Sequence, residues 1–171
     1  MSEQKTFGWR QSGLLWWPLG LVTLALDQLT KELIQRLIVL GDSIHVVPVL
    51  NIVHARNTGA AFSFLAGAGG WQRWLFTCFA LAVSVGLLVT LRKAPGAVQR
   101  MQNAGLMLIV SGALGNAIDR LRHGYVVDFV HAHWNDAWFP AFNVADSCIT
   151  VGAGLILLDA LLEWRRERAK A

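Results

Sequence analysis

Charge is scarce in this chain. Asp, Glu, Lys and Arg make up 15% of its 171 residues, while 54% are hydrophobic and the mean hydropathy is +0.44. Soluble domains carry roughly 25% charged residues, so an ordinary soluble surface is excluded and a polytopic membrane protein is indicated. The length allows one domain, residues 1–171. Cysteine is scarce too. Cys78 and Cys148 lie in apolar runs and read as small buried apolar residues; their spacing forms neither a zinc site nor a disulfide framework. There is no HExxH, no GxSxG, and no evident Ser–Lys or Cys–His arrangement. His45, His54, His123, His131 and His133 lie between the apolar runs, and His131-Ala132-His133 is too sparse for a metal site. Repeats and low-complexity tracts are missing. The formal net charge of +4 does not indicate nucleic acid, because the basic residues cluster at the ends of apolar runs.

What is present is a set of four apolar runs. They begin at Leu14, Trp74, Ala104 and Ala141 and predict transmembrane helices over about 14–36, 72–91, 101–119 and 141–163. The first follows Lys5 and Arg10 but is not succeeded by a small-x-small cleavage site, so it reads as a retained span. The predicted architecture is an all-α membrane protein with four transmembrane helices and a small extracytoplasmic β-rich region. Arg92, Lys93, Arg100, Arg165, Arg166, Arg168 and Lys170 share one side with Lys5 and Arg10, which predicts cytoplasmic termini. The two long connections then face outward. Ile44 to His54 is rich in β-branched residues and reads as β, bent at Pro48. The connection from His123 to Pro140 carries Trp134, Trp138 and Phe139, which suit a membrane-interface belt.

Two acids stand beside the apolar runs at the outer edge, Asp128 and Asp146. An acid there is costly and usually has a task. Asp128 is flanked by Val126, Val127, Phe129 and Val130, and a loop from Arg120 to Val127 is long enough to turn it back toward the membrane. Asp146 is expected roughly 8 Å along its span from Ala141, at 1.5 Å per residue. Two such carboxyls can share a proton and activate a water. Asp159, near the opposite end of the same span, reads as an ordinary interfacial charge. In the third run Gly112, Asn116, Asp119 and Arg120 share a face. Asp119 and Arg120 either neutralise each other or tie the helix end to the outer loops. Asp27, with Gln28, Thr30 and Lys31, marks the outer end of the first span, or Asp27 and Lys31, four apart on a helix, simply pair. Asn143 is three residues before Asp146, and Asn57-Thr58-Gly59 is a turn signal.

Taken together, five blocks resemble the signal peptidase II family, bacterial inner-membrane aspartic peptidases. They are Asp27-Gln-Leu-Thr-Lys31, Asn57-Thr-Gly-Ala-Ala-Phe62, Gly112 to Arg120, Val127-Asp-Phe129 and Phe142-Asn-Val-Ala-Asp146. The resemblance implies a catalytic dyad of Asp128 and Asp146. It implies that Asn57, Gly59, Asn116, Arg120 and Asn143 bind substrate or support the dyad, and that Asp27, Lys31 and Asp119 are structural. It also implies an outer β cradle with a short flap-like helix, a diacylglyceryl-prolipoprotein substrate cut before its lipidated cysteine, a site near the periplasmic face, and no metal or organic cofactor. Membrane lipids are the other expected partner, and nucleic acid is not one. Two competing readings are a proton-coupled carrier, which places its acids at mid-membrane, and an assembly factor glued by Asp119-Arg120.

Overall fold

The computed structural model describes residues 8–59, 69–96 and 99–170. Among the described residues there are four long helices and one small sheet. Two 3-10 turns, Trp9–Gln11 and Gly13–Trp16, lead into α1 (Trp17–Leu37); α2 is Trp71–Lys93, α3 is Arg100–His123 and α4 is Val144–Arg168. Each end has a local cause. Pro18 lies in the first turn of α1, where its missing N–H costs nothing. Pro95 follows α2 and pushes Ala94 into extended backbone. Gly124, at φ +86°, ends α3 in the left-handed conformation that a side chain resists.

α3 is the central helix and packs against the other three. Its buried side includes Gly105, Gly112 and Gly115. At Gly112 a Cβ would run into the backbone oxygen of Ala145 on α4, and at Gly105 it would meet Gly152 O at 2.6 Å. Small residues therefore set how closely the two helices approach. Gly112→Ala is expected to cost about 1–3 kcal/mol, because backbone cannot move aside as a side-chain tip can. The thermal midpoint in detergent micelles measures it.

The outward faces of the helices are apolar. Leu21, Val22, Leu29 and Leu33 on α1, Phe79 and Val85 on α2, and Val151 and Leu157 on α4 are all exposed. α2, α3 and α4 are long and apolar enough to cross a membrane. α1 falls outside that group because Asp27, Lys31, Glu32 and Arg36 interrupt it. Cys148 is buried as expected, but Cys78 is exposed. An apolar residue on an outer face of such a bundle meets lipid, so an apolar run does not tell inside from outside.

The sheet has strands β1 (Ser43–Val47), β2 (Leu50–Asn57), β3 (Val126–Trp134) and β4 (Ala137–Trp138) in that spatial order, all antiparallel. Pro48 and Val49 form the turn between β1 and β2, where the sequence places the bend. β3 is a departure. The expected loop from Arg120 to Val127 is only Gly124 and Tyr125, since α3 continues to His123 and the chain enters β3 at once. A register shift between Ile52 and Ala55 bends β2 beside Asp128. The expected flap-like helix, and Ala60 to Phe62 of the second block, lie outside the described residues.

Candidate active site

A dense polar cluster lies where the last turns of α3 meet the first turn of α4 and strand β3. Asp128 sits in β3 opposite Ala55 and is only 3% exposed, among buried Val126, Val127 and Phe129. Asn143 Nδ2 donates to its Oδ1 at 2.7 Å, and Asn57 Nδ2 donates to its Oδ2 at 3.1 Å. Asp146 accepts from Asn116 Nδ2 at 2.8 Å and from the backbone N–H of Asn143 at 3.2 Å.

Asp146 is the third residue of α4, not a residue a turn and a half into a span that starts at Ala141. Asn143 is the N-cap. Its Oδ1 accepts from the Asp146 N–H while the Asp146 carboxylate accepts from the Asn143 N–H, a capping box. The helix N-terminus thereby faces a carboxylate, the charge it favours. Just ahead of the cap, Phe142 is sewn to β3: its oxygen accepts from Phe129 N at 3.0 Å and Val130 N at 2.8 Å, and its N–H donates to Val130 O at 3.0 Å. That stitch brings Asn143 against Asp128. One asparagine then holds both acids, Asp128 with its side chain and Asp146 with its backbone.

The donors around the two acids cannot reverse. Asn143 Oδ1 faces the Asp146 N–H, Asn57 Oδ1 accepts from Gly59 N at 3.0 Å, and Asn116 Oδ1 accepts from Lys31 Nζ at 3.0 Å. Each of these anchors only donates, so each amide must turn its NH2 toward an aspartate. Burial pushes the Asp128 carboxyl up to about 7, and the adjacent Asp146 carboxylate pushes the same way against the hydrogen bonds from Asn57 and Asn143.

Behind this layer sits a second one. Lys31 Nζ reaches Asp27 Oδ2 at 2.9 Å, Asp119 Oδ2 at 3.0 Å and Asn116 Oδ1 at 3.0 Å, which uses all three ammonium protons. Asp27 Oδ1 accepts from the Ala145 N–H at 2.8 Å and so caps α4 from α1. Asp119 Oδ2 accepts from the Val127 N–H at 3.1 Å and ties α3 to β3. Of the two readings of Asp119, the structure shows the tie to neighbouring elements. Arg120 turns elsewhere: Nη2 donates to Gly59 O at 2.8 Å, and its guanidinium lies 5.3 Å from the Phe76 ring centroid. Gln28 had no assigned role, yet its Nε2 reaches Asp27 Oδ2 and Asp119 Oδ1, each at 3.1 Å. Its place inside the first sequence block was the available signal.

Asp128, Asp146, Asn57, Asn116 and Arg120 line one cavity of about 870 Å³. Beyond that polar end the wall turns apolar, with Phe139, Phe142, Ile149 and Val151. Asn143 and Gly59 are buried at its back, and Asp27, Lys31 and Asp119 form the layer beneath. A carboxyl pair opening on a mostly apolar slot suits acid–base hydrolysis of an apolar chain.

Comparison with known proteins points the same way. A family model described as signal peptidase (SPase) II matches residues 19–162. The lipoprotein signal peptidase of Shewanella pealeana is 53% identical over 161 residues, 94% of either chain. That of Shewanella loihica is 49% identical over 158 residues, 92% of either chain. Two solved structures described as a bacterial membrane enzyme, determined in meso, share the fold. The one at 2.3 Å has a TM-score of 0.75 and 31% identity, covering 90% of this chain and 92% of its own; the one at 1.9 Å has 0.72 and 30%, covering 89% and 97%.

Proposed function

The chain belongs to the signal peptidase II family, and from that premise we propose that Asp128 and Asp146 are its catalytic dyad. The activity is that of an aspartic endopeptidase, which removes the signal peptide from diacylglyceryl-modified prolipoproteins just before the lipidated cysteine. The observation that carries the dyad reading is Asn143, bonded to both acids at the wall of one cavity.

The dyad holds one proton. Asp146, at a helix N-terminus, is the ionised member, and buried Asp128 carries the proton. Asp146 takes a proton from water as the water oxygen bonds to the scissile carbonyl carbon, while Asp128 gives its proton to the carbonyl oxygen. In the return step Asp146 passes its proton to the cysteine nitrogen, Asp128 recovers one from the gem-diol, and the C–N bond breaks. Asn57, Gly59, Asn116, Arg120 and Asn143 hold the dyad and the chain at the slot. Asp27, Lys31 and Asp119 fix the elements beneath.

The reading extends to the membrane. The whole chain is taken as one integral domain, 1–171, with α1 as its fourth span. At 1.5 Å per residue α1 is about 31 Å long, enough for a bilayer core of about 30 Å. Its central charges are internal, Asp27 and Lys31 being 1% and 2% exposed. Glu32 and Arg36 pair at 2.8 Å near its end. The basic residues of the α2–α3 turn and of the α4 end support a reading with both termini in the cytoplasm. The dyad then lies near the periplasmic face of the bacterial inner membrane, within reach of a signal helix in the lipid.

Mass spectrometry of products from purified protein in micelles tests this. A diacylglyceryl precursor is expected to yield a product beginning at its lipidated cysteine, and the unmodified precursor to react at least about 100-fold more slowly, since remote binding energy drives turnover. Equal rates, or a cut at another bond, contradict it.

A further inference from the structure

We propose that the hydroxyls of Ser147 and Thr150 accept backbone N–H groups of the substrate just ahead of the scissile bond and hold that stretch extended along α4. This rests on the dyad reading and gives a task to the wall deeper along the same helix. Both residues line the catalytic cavity, Thr150 exposed and Ser147 half-buried. On a helix, residues four apart stack, so Asp146 and Thr150 form one column of that wall and Ser147 and Val151 the next. Thr150 lies about 6 Å further along α4 than Asp146, at 1.5 Å per residue.

The need for acceptors follows from the chemistry of the cut. A peptide bond inside an α-helix is screened by the turns on either side, and its carbonyl is already bonded. A signal helix must therefore unwind where it meets the dyad. Unwinding within the bilayer strips N–H groups of their partners, and a bare N–H is costly in hydrocarbon. An extended chain turns an N–H to the same side at every second residue, about every 6.7 Å. That repeat is close to the step from Asp146 to Thr150.

The cavity wall offers few side chains that can accept. Asn57 and Asn116 turn their NH2 groups toward the acids, while their oxygens accept from Gly59 N and Lys31 Nζ. Arg56 and Arg120 only donate. The two acids are engaged in the cleavage itself. Ser147 and Thr150 are the remaining polar side chains on the wall among the described residues. Their own protons are spent: Ser147 Oγ donates to Asn143 O and Thr150 Oγ1 to Asp146 O, each at 2.9 Å. A hydroxyl that donates to its own helix keeps its lone pairs, so both serve the slot as acceptors and not as donors. The competing task for such a hydroxyl is only to hide its polarity against the helix backbone.

The test replaces the amide N–H of each of the three residues before the lipidated cysteine, one at a time, by an ester oxygen. The scissile bond itself stays an amide. These precursors and the all-amide precursor are assayed on wild type, Ser147→Ala, Thr150→Val and Thr150→Ser, with a thermal midpoint for each protein. Wild type is expected to lose about fivefold in kcat/KM on at least one ester precursor, the worth of one net hydrogen bond. Ser147→Ala and Thr150→Val each lose about fivefold on the all-amide precursor and nothing further on the ester that removes their partner. Thr150→Ser keeps the wild-type pattern. Losses that simply add show that the hydroxyls and the substrate N–H groups act apart, and they overturn the proposal. Rates that neither substitution changes overturn it too. If wild type does not cut the all-amide precursor before its cysteine, or Asp128→Asn or Asp146→Asn cuts it at the wild-type rate, the dyad reading falls. If the dyad holds and the losses add, the hydroxyl assignment falls alone.

Discussion

Asp128→Asn and Asp146→Asn are each expected to lower kcat/KM by at least about 10³-fold, the upper range for losing a positioned acid or base. Neither amide can accept the proton of water or return one to nitrogen. The exchange is nearly isosteric, so shape does not confound it. At Asp146 both oxygens accept from fixed donors, Asn116 Nδ2 and the Asn143 N–H. An asparagine there sets one donor against another, while it also removes a buried charge; the two effects oppose each other and the fold survives. A thermal midpoint beside each rate separates chemistry from folding. The wild-type pH profile carries the same expectation. The raised Asp128 value means that the protonated form persists up to about pH 7, so kcat/KM falls as pH rises through that region. A flat profile from about pH 4 to 8 contradicts a shared proton.

The second large effect is at Lys31. Lys31→Met is expected to destabilise the protein by about 3–5 kcal/mol, because it strands the buried Asp27 and Asp119 without their cation. Those two carboxylates hold more than a salt bridge. Asp27 caps α4 through Ala145, and Asp119 secures β3 through Val127, so Asp128 and Asp146, the proposed dyad, stand on elements that this network pins. Denaturant unfolding in micelles measures the loss. Adding Asp119→Asn to Lys31→Met should restore part of it by removing one stranded charge. A loss below about 1 kcal/mol in the single variant contradicts the network.

How much of this was legible beforehand differs from residue to residue. Asp128 was marked by its apolar flanks and Asp146 by its asparagine three positions earlier, and the structure brings both to one cavity. The pairing of Asp27 with Lys31 was readable as a helical four-residue spacing. That the same lysine also meets Asp119 and Asn116 was not, since no local pattern reports a partner on another helix 85 or more residues away. The start of α4 was misplaced because Ala141 and Phe142 look like span, while Phe142 pairs with β3 and the helix begins only at Val144. Strand β3 was hidden by the two-residue turn Gly124-Tyr125 and by histidines within the strand. α1 does not stand out as a span by composition alone, because its buried charges count against it before their partners are known.

The most direct measurement is a crystal structure with a substrate-like peptide whose scissile carbonyl is replaced by a tetrahedral hydroxyl. One hydroxyl oxygen is expected within about 2.6–3.2 Å of an oxygen of each carboxyl, Asp128 and Asp146 together. A hydroxyl bonded to one of them while the other points elsewhere would contradict the account.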